Sequence, residues 1–358
     1  MKTEKGLFEN MCSFENANIS FHQAAKCRRY GEEVLAFSME LEENLVRACD
    51  ELRGLTYQPG EYTVFKVWEP KERLVMALPF YDRVIQHMVC NVIEPPFERK
   101  FYYHSYACRP GKGMHAASDT LYKWLYETMI LQGLKMHAIK GDISGYFANI
   151  PHEPLKADIR RTIGDRKVLT ITDRIIDHNG ILPDGVGNPV GNLTSQLFAN
   201  VYGHRLDMFI KHTLKVKYYI RYMDDFIILS DNLPQLREWF RRIEEFLETE
   251  MLLHLNPKST ILYAGNGIDF CGYIHFPDHR KVRKASIRRL KQSVKEYKAG
   301  EISREYFYRV IESRKGHLGH ADTWHILKAL EYDLLFFEAE KERKVGQNPG
   351  NKNIILVP

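Results

Sequence analysis

Apolar residues recur at helical spacing from Glu32 to Leu52 (Val34, Leu35, Leu41, Leu45, Ala48, Leu52), and Gly54 supplies a stop. The whole stretch from residue 1 to about 60 reads as helical. Tyr62 to Trp68 alternates and is rich in β-formers, which predicts a strand, and Leu74 to Leu78 predicts a second strand near enough to pair with it. Asp82 to Ile93 predicts a helix stopped by Pro95 and Pro96. Residues 114 to 132 predict an amphipathic helix, and Met136 to Lys140 a short strand running into Gly141 and Asp142. Helices follow over 153–163 and 168–178, with a long one from Ser195 to Thr213. Strands over Lys217–Arg221 and Phe226–Leu229 flank Tyr222-Met223-Asp224-Asp225. Leu236–Glu250 predicts a helix, Ile268–Tyr273 a strand, and everything from Lys284 to a polar tail after Lys344 is helical. No segment repeats and none is of low complexity.

A chain of 358 residues exceeds one ordinary core, so two or three lobes are expected. Hydrophobic content of 44% with 27% charged residues describes a globular protein rather than a disordered one. The net charge of +5 is small for a nucleic-acid partner, so any such surface must come from clustered basic residues. The six cysteines contain no C-x-x-C pair, and His87 and His104 near Cys90 and Cys108 complete no four-ligand pattern. Neither a zinc site nor a disulfide framework is expected, and reduced thiols point to a cytoplasmic protein. The N-terminus MKTEKGLFEN has no apolar signal region, and no apolar run approaches the ~20 residues of a membrane span.

The chemistry concentrates in KYYIRYMDDFIIL, residues 217–229, where Asp224 and Asp225 interrupt a strongly β-forming stretch. Asp is a poor strand residue, and neighbouring carboxylates repel when desolvated. A tight turn at Met223-Asp224 would tolerate them as a solvated turn; the functional alternative is a pair of ligands for hard cations. A second segment, MHAIKGDISGYFANI at 136–150, ends a strand on Asp142 and turns at once through Gly145. The helices between the two segments are long enough to bring both strands into one sheet. Three carboxylates would then converge, the ligand set of two magnesium ions about 4 Å apart.

These residues resemble the reverse transcriptase family. Asp142-Ile143-Ser144-Gly145-Tyr146-Phe147 and Tyr222-Met223-Asp224-Asp225 match two of its blocks, and the others follow in order. They are Arg73 with Asp82-Arg83; Ser105 to Gly113; Gly187 to Gln196; Leu255-Asn256-Pro257-Lys258-Ser259-Thr260; and Phe270-Cys271-Gly272-Tyr273. The resemblance covers roughly residues 60–340. It implies an α+β right-hand polymerase fold: an N-terminal helical extension (1–60), interleaved fingers and an antiparallel-sheet palm (61–280), a helical thumb (281–345) and a tail (346–358). It implies that Asp142 and Asp224 bind two Mg2+ ions, which Mn2+ can replace, with Asp225 in support. Phe147 becomes the steric gate against ribonucleotides, and the backbone at Gly145-Tyr146 faces the triphosphate. Arg73 is the expected triphosphate clamp, its guanidinium suited to bidentate contacts. Arg109 and Lys112 are expected along the nucleotide or template path, the alternative being an exposed basic loop. Lys258 is a candidate proton donor to pyrophosphate, or a charge beside it. Residues 280–298 hold nine Lys/Arg and one Glu, with Ile287, Leu290, Val294 and Tyr297 on one helical face. Arg288, Arg289 and Lys291 on that helix, with Gly272 and Tyr273, are expected along the primer–template.

Relatives mostly carry Gln where Val190 stands and Pro where Gln196 stands, around Gly191 in PVGNLTSQ. This pattern resembles the reverse transcriptases of diversity-generating retroelements, which copy a template-repeat RNA into mutated cDNA with a small basic accessory protein. Val190, Gly191 and Gln196 are then nucleotide-side residues, and errors are expected at template adenine. No RNase H, integrase, protease or endonuclease region is expected. The alternatives are another bacterial stand-alone enzyme, antiviral or intron-derived, and a catalytically silent RNA-binding protein on the same fold. The expected partners are an RNA template, a DNA or RNA primer, dNTPs and the accessory protein, with no membrane.

Overall fold

Phe226, Ile227, Ile228 and Leu229 are all at most 2% exposed, which an apolar run in an isolated hairpin could not achieve. Their strand is the second of four in an antiparallel sheet of order Tyr218–Tyr222, Asp225–Ser230, His137–Asp142, Thr260–Tyr263. The computed structural model describes residues 3–68 and 72–346, except the side chains of 332, 335, 336 and 339–346. The expected tail beyond residue 346 lies outside the described residues.

The chain divides into two compact units, 1–117 with 135–263 and 118–134 with 264–358. The first opens with α1 (Phe8–Met11), α2 (Phe14–Ala24), α3 (Glu32–Met39) and α4 (Leu41–Arg53). The single helix expected from Glu32 to Leu52 is broken at Glu40, whose φ −124 and ψ 44 leave the helical region. The break lets Val34 and Phe37 on one piece and Leu45, Ala48, Cys49 and Leu52 on the other all reach the core, while Leu35 stays 49% exposed. Strands β1 (Thr63–Trp68) and β2 (Glu72–Ala77) form an antiparallel hairpin.

Helix α5 (Phe80–Glu98) runs through Pro95 and Pro96 instead of stopping before them. The prolines sit in its last turn; they give up their own donors, yet the Pro95 carbonyl still accepts from Arg99 N–H at 3.3 Å. Buried Ile93, Pro96 and Phe97 hold this turn in place. Helix α6 (Met114–Leu125), which belongs to the second unit from residue 118 on, widens into a π-helical turn, Tyr126–Leu131. Then come β3 (His137–Asp142), α7 (Tyr146–Asn149), α8 (His152–Arg160), α9 (Arg166–Asp177) and α10 (Leu193–Met208), the last continuing as a π-helical stretch, Phe209–Thr213. Strands β4 (Tyr218–Tyr222) and β5 (Asp225–Ser230), helix α11 (Leu233–Glu250) and β6 (Thr260–Tyr263) complete the unit. Helix α11 packs on β3 and β5, and α10 packs on α5.

In the second unit the single strand expected over Ile268–Tyr273 is a hairpin of β7 (Ile268–Phe270) and β8 (Tyr273–His275), extended by β9 (Arg280–Val282). Cys271 and Gly272 form its two-residue turn with φ 49 and 86, the doubly left-handed geometry that matches strand twist. Helices α12 (Lys284–Lys298), α13 (Arg304–Leu318) and α14 (Trp324–Gly346) follow. Leu290, Val294 and Tyr297 join Tyr273, Phe307 and Ile311 in this unit's core. Among the described residues no helix is long and apolar enough to cross a membrane.

Candidate active site

Strand β3 lies between β5 and β6, and its register pairs Asp142 with Asp225. Residues directly opposite on antiparallel strands point to the same face, so these carboxylates share one side of the sheet. Asp224 occupies the β4–β5 turn beside them, and its carbonyl accepts from Ile143 N–H at 3.3 Å. Met223 leads that turn with φ 60, a left-handed conformation that a side chain adopts at a cost. Gly141 is required one residue before Asp142: a Cβ there would lie 2.1 Å from the Phe226 ring.

Burial pushes the Asp224 carboxyl above its ordinary range and the Asp142 charge pushes the same way, while Arg73 and Arg221 oppose both. That coupling places Asp142, Asp224 and Arg73 in one electrostatic neighbourhood. Among the described residues no group of three His, Cys, Asp or Glu side chains is gathered tightly enough to hold a metal unaided. An all-carboxylate donor set at two strand ends nonetheless fits a magnesium-like cation, which keeps water and substrate phosphate in its shell rather than filling it with protein.

Sequence reasoning overlooked the residues that hold Asp142. Asn256 donates from Nδ2 to Asp142 Oδ2 at 2.7 Å, and its backbone N–H donates to the Asp142 carbonyl at 2.8 Å. Ser259 Oγ accepts from Asp142 N–H at 3.1 Å. Both lie in the Leu255–Thr260 block, where only Lys258 was singled out; the signal was an Asn and a Ser bracketing it. Lys258 itself is exposed, and its N–H donates to Asn256 Oδ1 at 3.1 Å.

A second wall rises from the segment after Asp142. Gly145 turns at φ 55 into α7, which carries Tyr146 and Phe147. Phe147 is half-buried and meets the Tyr146 ring edge-on at 6.0 Å. The Tyr146 side chain points inward, its hydroxyl donating to the Ala199 carbonyl at 2.6 Å, so only its backbone can face a ligand. Asn188 N–H donates to the Phe147 carbonyl at 2.7 Å, and the Val190 carbonyl accepts from Met76 N–H at 2.9 Å. The loop from Gly187 to Gly191 therefore ties the Phe147 segment to β2, the strand that carries exposed Arg73. Gly191, at φ 130, is needed for this approach: a Cβ would lie 2.4 Å from the Met76 carbonyl oxygen. Val190 is 36% exposed, and Gln196 is exposed on the first turn of α10.

Two expected contacts are corrected. Arg109 is not a free cation on a nucleotide path: it forms a bidentate pair with Glu98 at 2.8 and 2.6 Å and donates to the Tyr102 and Ser105 carbonyls, so its guanidinium is used up in tying down its own loop. Tyr273 is fully buried, with its hydroxyl donating to the His317 carbonyl at 2.8 Å, so its side chain is not free to meet a primer, whereas Gly272 is half-buried in the β7–β8 turn. Lys112 sits 3.4 Å over the Tyr103 ring and donates to the Tyr103 carbonyl. Arg288, Arg289 and Lys291 are exposed along α12.

The chain is similar to protein YkfC of Escherichia coli, 26% identical over 283 residues, 66% of this chain and 71% of that protein. It is also similar to the group II intron-encoded protein LtrA of Lactococcus lactis, 23% identical over 320 residues, 69% of this chain but 51% of that protein, so it spans about half of LtrA. The apo telomerase of Candida tropicalis, truncated from its C-terminal domain, is 12% identical with a TM-score of 0.47, over 63% of this chain and 55% of that one. A family model described as reverse transcriptase (RNA-dependent DNA polymerase) matches residues 67–275, the span that holds both Asp-bearing strands and the loop before α10. On a match that covers more than half of its length, the chain belongs to the reverse transcriptase family, the RNA-directed DNA polymerases.

Proposed function

We propose that this chain copies a template-repeat RNA into error-prone cDNA as the polymerase of a diversity-generating retroelement. The observation that carries the catalytic part is the register of Asp142 opposite Asp225, with Asp224 in the adjoining turn. Reverse transcriptases generally use divalent metal ions. Here Asp142 and Asp224 would hold two Mg2+ ions, or Mn2+ in their place, with Asp225 in support. When bound, the metals supply charge that activates the primer hydroxyl and stabilises departing pyrophosphate. Arg73 holds the triphosphate, the Gly145–Tyr146 backbone faces it, and Phe147 closes the space that a 2′-hydroxyl would need. Lys258 supplies a positive charge or proton near pyrophosphate. Residues 61–280 act as fingers and palm after an N-terminal extension, and 281–345 act as a thumb whose Arg288, Arg289 and Lys291 follow the primer–template backbone, as Lys112 follows the template. The chain acts in the cytoplasm. A small basic accessory protein supplies much of the RNA affinity, consistent with a net charge of only +5.

The retroelement assignment rests on Val190 and Gln196 in PVGNLTSQ. Val190 is partly exposed on the loop tied to β2, beside the segment that carries Phe147. Valine offers neither the donor nor the acceptor of a glutamine amide. A correct nucleotide loses one polar contact, on the order of tenfold in discrimination. The bias toward adenine comes from the resemblance alone. The similarity to LtrA favours a second reading, an intron-derived enzyme of ordinary fidelity. Sequencing cDNA made by wild type and by Val190→Gln on one template separates them. Errors concentrated opposite adenine and reduced in the variant support the first reading. Errors spread evenly over the four template bases refute it.

A further inference from the structure

The residue just before Tyr222-Met223-Asp224-Asp225 is a fully buried arginine. Arg221 and its partner Asp207 are both 0% exposed. Nε donates to Asp207 Oδ1 at 2.7 Å and Nη2 to Oδ2 at 2.8 Å, a planar fork on a carboxylate. Tyr219 also donates to Asp207 Oδ1, at 2.7 Å, and His204 Nδ1 lies 3.8 Å from Oδ2. Burial would push the Asp207 carboxyl up, but the Arg221 charge prevails and holds it at about 2, so the pair stays ionised. A buried ion pair is often replaceable by apolar residues at no loss of stability. Its presence therefore calls for a task beyond holding the core.

The third arm of the guanidinium supplies one. Arg221 Nη1 donates to the Met223 carbonyl at 3.0 Å, inside the catalytic hairpin and at its left-handed residue. The same atom approaches the other half of the site. A Cβ on Gly203 would lie 2.7 Å from Arg221 Nη1 and 2.8 Å from the Tyr146 hydroxyl, so these groups are neighbours across a glycine that leaves them room. Tyr146 opens the helix that follows Asp142. The Arg221 main chain is fixed independently: its N–H donates to the His104 carbonyl, and its carbonyl accepts from Tyr106 N–H, both at 3.0 Å.

We propose that Arg221, oriented by Asp207, is a positioning residue of the polymerase that fixes the Met223 carbonyl and so sets how Asp224 is presented to Asp142 for a divalent cation. The proposal rests on the polymerase reading and deepens it. Two variants separate positioning from packing. Arg221→Lys keeps a cation beside Asp207 but loses the forked third arm. Arg221→Gln/Asp207→Asn replaces the ion pair by two amides that can bond to each other and to Tyr219, again leaving Met223 unheld.

Three quantities are measured on the full chain: the thermal midpoint, Mn2+ affinity of the protein without nucleic acid by electron paramagnetic resonance, and the single-turnover rate of dNTP addition against Mg2+ concentration. The expected result is folded variants with Mn2+ affinity and rate each reduced on the order of tenfold, and with primer–template affinity unchanged. Folded variants with wild-type Mn2+ affinity overturn the proposal. So does a loss of affinity in either variant that merely tracks its loss of folded protein. If wild type itself adds no nucleotide, the polymerase reading fails, while the Mn2+ comparison still decides whether Arg221 positions the carboxylates.

Discussion

Asn256→Asp is the sharpest perturbation of the carboxylate site, because it exchanges one NH2 group for one oxygen. The retained Oδ1 still accepts from Lys258 N–H, so the turn keeps its bond. The lost Nδ2 donor faced Asp142 Oδ2 at 2.7 Å. A hydrogen bond to a charged group contributes about 1.5–3 kcal/mol. A second carboxylate at that separation adds repulsion of up to about 6 kcal/mol at an effective dielectric near 20, relieved by taking up a proton or by turning away. Either response moves Asp142. If only the lost bond is felt in the transition state, the rate falls roughly 10- to 100-fold. The assay is single-turnover addition of one dNTP to a primer on an RNA template across a Mg2+ titration, with Asn256→Ala alongside. The variant is expected to need more Mg2+ and to stay slow at saturation, with a smaller loss in Asn256→Ala. Near wild-type rates in Asn256→Asp would refute the claim that Asn256 holds a catalytic carboxylate, and a faster enzyme would recast position 256 as a ligand.

Phe147→Ala removes a half-buried ring from α7 and, if Phe147 is the proposed gate, should raise the ratio of ribo- to deoxynucleotide incorporation by about 10- to 200-fold, the range of one steric contact in a pocket; an unchanged ratio in an active variant reduces Phe147 to packing. His275 is held neutral, its pKa lowered to about 4 from 6.5 chiefly by burial, with Nε2 on Ser118 Oγ at 2.8 Å. Between those values the unfolded chain takes up a proton that the folded unit refuses. This contribution is therefore fully present above pH 6.5 and is lost, by about 3 kcal/mol, as pH falls to about 4. Urea unfolding of His275→Gln from pH 7 to 4 should show a shallower decline than wild type, and parallel declines would contradict it.

Much of the site was legible because its chemistry is local. Asp142 ends one β-forming run and Asp224-Asp225 break another, and the fold brings those strands together in the expected way, with Asp142 opposite Asp225. The α12 stripe of Leu290, Val294 and Tyr297 was equally readable, since burial and helical period coincide there. What escaped depends on contacts remote in sequence. Nothing near Arg221 marks it as the buried partner of Asp207, and Asn256 gains its meaning only when β6 lies beside β3. Arg109 misled for the same reason: a basic residue in a Pro/Gly-bounded loop reads as exposed until Glu98 and two carbonyls are seen to surround it. Pro95-Pro96 and Cys271-Gly272 were misread locally. Proline in a last turn does not end a helix, and a strand-like run can hide a two-residue turn when its central residues accept positive φ.

The central claim is that Asp142, Asp224 and Asp225 form the metal-dependent centre of an RNA-copying polymerase. Its most direct test is primer extension on an RNA template by the purified chain, wild type against Asp224→Asn, in Mg2+ and in Mn2+. Asparagine conserves volume and removes the charge of a ligand, so folding and RNA binding should persist while DNA synthesis is abolished. Extension by Asp224→Asn at close to the wild-type rate would contradict the account.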